Sequence, residues 1–323
     1  MKKAFTLIEL IFVIVLLSII SAFGADLYVK IYNSYTNNRA TSDLEGETER
    51  TLNIITSLLR DRVKQTVIGR ETDNGEHPDG NFVSLYEVQE KHDVLEWIGK
   101  STETQYIGST NAGVLGWSGF AIDSPTPTAV PSGDFVIKSP GSSLENANDI
   151  LTSLNAGTNS FGIIFNDDII INADSFGYDH TTYNHTNIGT VSIIDNDTMQ
   201  ISGLTSGNKN RYFLVHTAYA IVPVLDENAA NVSVSVDGGK KIKSNTYNLL
   251  LYYDFQPWEK EKYENGKSVV LAKNVTMFRF AYDNNSVAVK LCMRDNNRNF
   301  DAEKLDFIVC KSQVVEWWKK DLV

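Results

Sequence analysis

Phe5-Thr6-Leu7-Ile8-Glu9-Leu10-Ile11-Phe12-Val13-Ile14-Val15-Leu16-Leu17-Ser18-Ile19-Ile20-Ser21-Ala22-Phe23-Gly24-Ala25 is almost wholly apolar and carries a single charge, Glu9. As a helix rising about 1.5 Å per residue it covers about 30 Å, the hydrocarbon thickness of a bilayer. A carboxylate in a membrane helix costs roughly 2–3 kcal/mol at mid-bilayer on insertion scales, and less near the interface. A segment that only anchors has no need of one.

Preceded by Met1-Lys2-Lys3-Ala4, the stretch Phe5-Thr6-Leu7-Ile8-Glu9-Leu10 resembles the class III leader of type IV prepilins and type II secretion pseudopilins. The resemblance implies cleavage between Ala4 and Phe5 by a prepilin peptidase, N-methylation of Phe5, and Glu9 as the assembly carboxylate. Gly nearly always precedes the cut in that family; here a small residue, Ala4, stands in its place. A Glu four residues from a freed α-amine can neutralise the amine of a neighbouring subunit, so the buried charge gains its partner on assembly. Two plainer readings compete. A secretory signal peptide finds small residues at Ala22-Phe23-Gly24, but Glu9 and the length of the apolar run argue against it. An uncleaved anchor is the other.

With the membrane stretch set aside, about 250–300 residues remain, enough for one large or two modest domains. The net charge of −11 argues against a broad electrostatic nucleic-acid surface, though not against a small basic patch. Lys2 and Lys3 place the amino end in the cytoplasm under the positive-inside tendency. Everything after Asp26 then lies outside it, which with such a leader means the bacterial periplasm, where disulfides persist.

The pattern divides the chain into a leader (1–4), a membrane half of one helix (5–25), its amphipathic half (26–68), a loop-rich β insertion or sub-domain (69–210) and an antiparallel β-region (211–323). Leu44, Leu52, Ile55, Leu59 and Val63 recur at helical spacing, and Gly69 offers a stop. Pro125, Pro127, Pro131 and Pro140 predict a poorly structured connector over 123–148. Residues 211–222 and 248–255 predict strands, with an exposed loop over 259–267. The clearest hairpin joins 274–282 to 287–292 through Asp283-Asn284-Asn285-Ser286, with a bulge near Met277. The stretch 271–280, Leu-x-x-Asn-Val-x-x-Phe in part, also resembles the sheet segment of larger minor pilins and pseudopilins. In that family the amphipathic helix covers a β-sheet. The implied fold is α+β: a long amino-terminal helix packed on a β-rich periplasmic head with an antiparallel sheet.

Cys292 and Cys310 each end a predicted strand around a polar loop, so an antiparallel pair can bring the sulfurs together. Two buried free thiols are the alternative. Many pilins close a carboxy-terminal loop in this way. The loop 295–306, with Asp295, Asp301 and Asp306, has oxygen side chains that suit calcium, but Phe300 and Arg298 oppose it, and a solvated loop is the stronger reading. His180 and His185 read as surface loop residues, and His216 as a hydrogen-bonded core residue; His77 and His92 carry no motif. Trp317 and Trp318 read as packed on the sheet or as an exposed partner surface. No hydrolase elbow, phosphate loop or zinc motif proposes an enzyme or a cofactor. The reading is a structural minor pilin or pseudopilin of a type IV pilus or a type II secretion pseudopilus, DNA uptake being one use open to it, whose partners are the prepilin peptidase, other pilins or pseudopilins and an inner-membrane assembly platform. The alternative is an uncleaved, membrane-tethered periplasmic binding module.

Overall fold

The computed structural model describes residues 6–72, 81–106, 114–127, 129–154, 160–166, 173–204, 210–226, 233–236, 240–243, 246–284, 286–295 and 308–316. They form two compact units, Met1–Glu47 and Thr48–Val323.

Helix α1 (Leu7–Arg60) runs through Gly24 and Gly46 without a break. In the first unit every residue from Thr6 to Tyr35 is exposed. In the second unit the helical spacing of Leu52, Ile55 and Leu59 has its expected meaning, because all three are fully buried. Polar contacts fix this part of the helix. Thr51 Oγ1 donates to the Leu271 carbonyl at 3.5 Å, Gln313 Nε2 to Asn53 Oδ1 at 2.8 Å, and Thr56 Oγ1 to Gln313 Oε1 at 3.0 Å. Lys311 pairs with Glu49 at 2.7 Å.

The helix stops at Arg60 rather than continuing to Ile68. The Val63 amide donates to the Ile98 carbonyl at 2.8 Å, so the backbone is captured by the sheet before another turn can form. Arg62, 4 % exposed, donates to the carbonyls of Leu59 and Val315. Gly69 is not a helix stop. It lies in β1 (Ile68–Arg70), where a Cβ would approach Val88 Cγ2 to 2.6 Å.

The remaining elements are β2 (Phe82–Ser84), β3 (Val94–Lys100), α2 (Thr102–Tyr106), β4 (Ile122–Asp123), β5 (Phe135–Lys138), α3 (Leu144–Ser153), β6 (Phe161–Phe165), β7 (Gly189–Asp195), β8 (Thr198–Ser202) and β9 (Tyr212–Leu225). They continue with β10 (Ser233–Val236), β11 (Lys240–Lys243), β12 (Tyr247–Phe255), β13 (Lys267–Asp283), β14 (Ser286–Arg294) and β15 (Ile308–Val315). Among the described residues thirteen strands form one sheet, ordered β15-β14-β13-β12-β9-β6-β7-β8-β5-β4, with β3 also on β9, β1 on β3 and β2 on β1. Strands from 69–210 and from 211–323 therefore share it. The β10–β11 hairpin stands as a separate two-stranded ribbon. The class is α+β, with an antiparallel sheet.

β9 is the branch point: Val215 pairs with Lys100 of β3 and with Gly162 of β6. Two apolar clusters flank it. One gathers Val63, Ile98, Val215, Ala218, Ala220, Phe255, Trp258 and Tyr263; the other gathers Trp117, Leu144, Leu151, Phe161, Ile163, Met199 and Leu214.

Among their described residues, two expected loops carry regular structure. Residues 123–148 contain β5 and the start of α3, whose Leu144, Ala147 and Leu151 are buried at helical spacing. Residues 259–267 are anchored by Tyr263, 2 % exposed, beside the equally buried Trp258. Gly177, at φ +88°, lies against this turn, and a Cβ there would meet the Pro257 carbonyl oxygen at 2.5 Å. The β13–β14 hairpin has the expected bulge, between Val275 and Met277.

Candidate assembly site

The Thr6 carbonyl accepts from the amides of Glu9 and Leu10 at 3.1 and 3.2 Å, which starts α1. Thr6 Oγ1 donates to Glu9 Oε2 at 3.4 Å. Thr-x-x-Glu is the spacing of a capping box, and the carboxylate lies in the first turn, at the positive end of the helix dipole. That is where an apolar helix best tolerates an anion. Among the described residues only Thr6 hydrogen-bonds to the Glu9 carboxylate, and no cation pairs with it. Ala4 and Phe5, the expected processing residues, lie outside the described residues. Among those that are described, α1 is the one helix long and apolar enough to cross a membrane.

At the far end of the chain Cys292 and Cys310 stand opposite each other on β14 and β15, with Cα atoms 4.1 Å apart, and are disulfide-bonded. The register between these strands runs unbroken from Val287↔Val315 to Arg294↔Ile308. Cys292 is buried and Cys310 exposed, because β15 is the sheet's edge strand. The bond pins the strand whose Lys311 and Gln313 hold α1. Most of the loop read for calcium, including Asp301 and Asp306, lies outside the described residues, as do Trp317, Trp318 and His77.

His216 is 6 % exposed, and its Nδ1 lies 2.7 Å from Ser101 Oγ. Burial pushes its pKa below the usual value, against the pull of Glu103 and Asp254. His92 Nδ1 accepts from the Gln89 amide at 2.9 Å. His185 packs on the Tyr183 ring, 4.6 Å between centroids. Among the described residues no group of three His, Cys, Asp or Glu is placed to hold a metal ion.

Sequence reasoning missed a buried ion pair. Arg70 Nη2 lies 3.1 Å from Glu96 Oε2, with both side chains nearly inaccessible to solvent. Arg70 also donates to the Tyr178 carbonyl at 3.3 Å, and the Tyr178 hydroxyl donates to the Thr66 carbonyl at 2.7 Å. Burial pushes the Glu96 carboxyl up, and Arg70 opposes it. The available signal was a lone acid inside Val94-Leu95-Glu96-Trp97-Ile98.

Residues 1–25 match the family model described as the prokaryotic N-terminal methylation motif. The chain thus carries a prepilin-type amino terminus, consistent with the type IV pilin and pseudopilin family, whose members are structural rather than enzymatic. The motif supports processing by prepilin peptidase and assembly with other pilins, and with the apolar helix it is consistent with membrane anchoring. No curated protein and no solved structure matches the chain.

Proposed function

We propose that the chain is a structural subunit, a minor pilin or minor pseudopilin. It is cut between Ala4 and Phe5, methylated on Phe5, and moved by an inner-membrane assembly platform into a type IV pilus or a type II secretion pseudopilus. Residues 48–323 form its periplasmic head. The observation that carries this reading is Glu9, a carboxylate with no cationic partner among the described residues, in the first turn of a helix exposed from Thr6 to Tyr35. Inside a filament it would meet the freed amine of a neighbouring subunit, and the apolar helix would be covered by other helices. A head of this size suits a minor subunit better than a repeating shaft.

Glu9→Ala tests it. The variant should enter the membrane with its head folded and yet be absent from sheared filaments or fail to support secretion. Normal incorporation would remove the assembly role, and a tethered binding module would be indifferent to the change. Mass spectrometry of the mature chain should find N-methylated Phe5 at the amino terminus.

A further inference from the structure

We propose that Tyr28, Tyr32 and Tyr35, with Leu27 and Ile31 beside them, form an interfacial belt that seats α1 in the headgroup layer of the bilayer leaflet distal to Glu9. The proposal rests on reading Phe5–Ala25 as membrane-spanning, and it adds where the membrane ends.

The three tyrosines are spaced four and three residues apart, so they share one stripe of the helix. All five side chains are 57–69 % exposed, and the Tyr28 and Tyr32 rings stack with centroids 6.4 Å apart. Large exposed apolar side chains run from Leu7 to Tyr35, and among the described residues none follows before Ile54. At about 1.5 Å per residue this run is about 43 Å long, against about 40–45 Å for a bilayer with its headgroups. After Glu9 the next charges are Asp26 and Lys30, so the uncharged run ends where the tyrosines begin. Tyrosine combines an apolar ring with a hydroxyl that stays wet, and it concentrates at membrane–water boundaries for that reason. A helix seam inside the bilayer would instead use small side chains that let backbones approach. This stripe is bulky and hydroxylated.

The test uses the full chain in vesicles of phosphatidylethanolamine and phosphatidylglycerol. One nitroxide is placed at Leu17→Cys, Tyr28→Cys, Tyr32→Cys, Tyr35→Cys or Asn37→Cys. The native cysteines are disulfide-bonded, so the introduced thiol alone is labelled. Collisions with a water-soluble nickel chelate should be several-fold rarer at positions 28 and 32 than at 37. Collisions with oxygen should be rarer there than at 17. Nickel access at 28 and 32 equal to that at 37 would overturn the belt. So would shielding from both reagents with spin–spin broadening, which would mean contact between copies. Water access at position 17 would instead sink the membrane-spanning reading itself. Replacing all three tyrosines with alanine should shift the depth read at Leu17→Cys, and replacing them with tryptophan should preserve it. An unchanged depth in the alanine variant also overturns the belt.

Discussion

One helix meets its surroundings in two opposite ways. Leu16 and Leu17 are 51 % and 57 % exposed, whereas Leu52 and Leu59 are fully buried. Burying such a side chain is worth about 1.5–3 kcal/mol, so identical residues contribute to the head's stability in one stretch and nothing to it in the other. The charges divide the same way. Glu96 has Arg70 at 3.1 Å within the head, while among the described residues Glu9 has only the Thr6 hydroxyl.

The sharpest way to break this contrast is at the buried pair. Glu96→Ala removes the buried carboxylate that faces Arg70 and should cost the head about 3–5 kcal/mol in denaturant unfolding of the detergent-solubilised chain. Glu9→Ala should leave the same curve unmoved. Ile55→Ala should cost about 2–5 kcal/mol, and Leu16→Ala nothing measurable in the head; equal losses from both would erase the distinction. Cys292→Ser with Cys310→Ser opens a loop of sequence separation 18 and should cost about 3 kcal/mol in the chain-entropy model, read as a lower unfolding midpoint. The smallest effect is in pH. His216 titrates below its ordinary value when folded, so the unfolded chain binds more protons below about pH 6.5 and head stability falls there with pH. His216→Gln should flatten that part of the profile.

The reach of sequence reasoning follows the same division. The apolar start of α1, β9 and the β13–β14 hairpin were legible because each is long and carries one period or a specific turn. The end of α1 was not. Val63, Val67 and Ile68 are buried like the helical residues before them, but in extended backbone, so the apolar pattern continues while the helix does not. Around 257–266 one buried Trp and one buried Tyr stand among charges, too sparse for any period to register. β3 went unremarked because both of its faces are buried and its residues do not alternate. At the candidate site, Glu9 was readable as the one charge in an apolar run, whereas the Arg70–Glu96 pair depends on two strands being brought together.

The latch between α1 and the edge of the sheet has a consequence for timing. Glu49, Thr51, Asn53 and Thr56 of α1 are held by groups 220 to 262 residues later, from Leu271, Lys311 and Gln313. Pairings this distant close slowly, on the scale of milliseconds to seconds. The helix is synthesised well before the groups that hold it. Glu49, Thr51, Asn53 and Thr56 therefore wait for these partners through at least 220 further residues of synthesis, a period in which this face of the helix is open to aggregation or proteolysis.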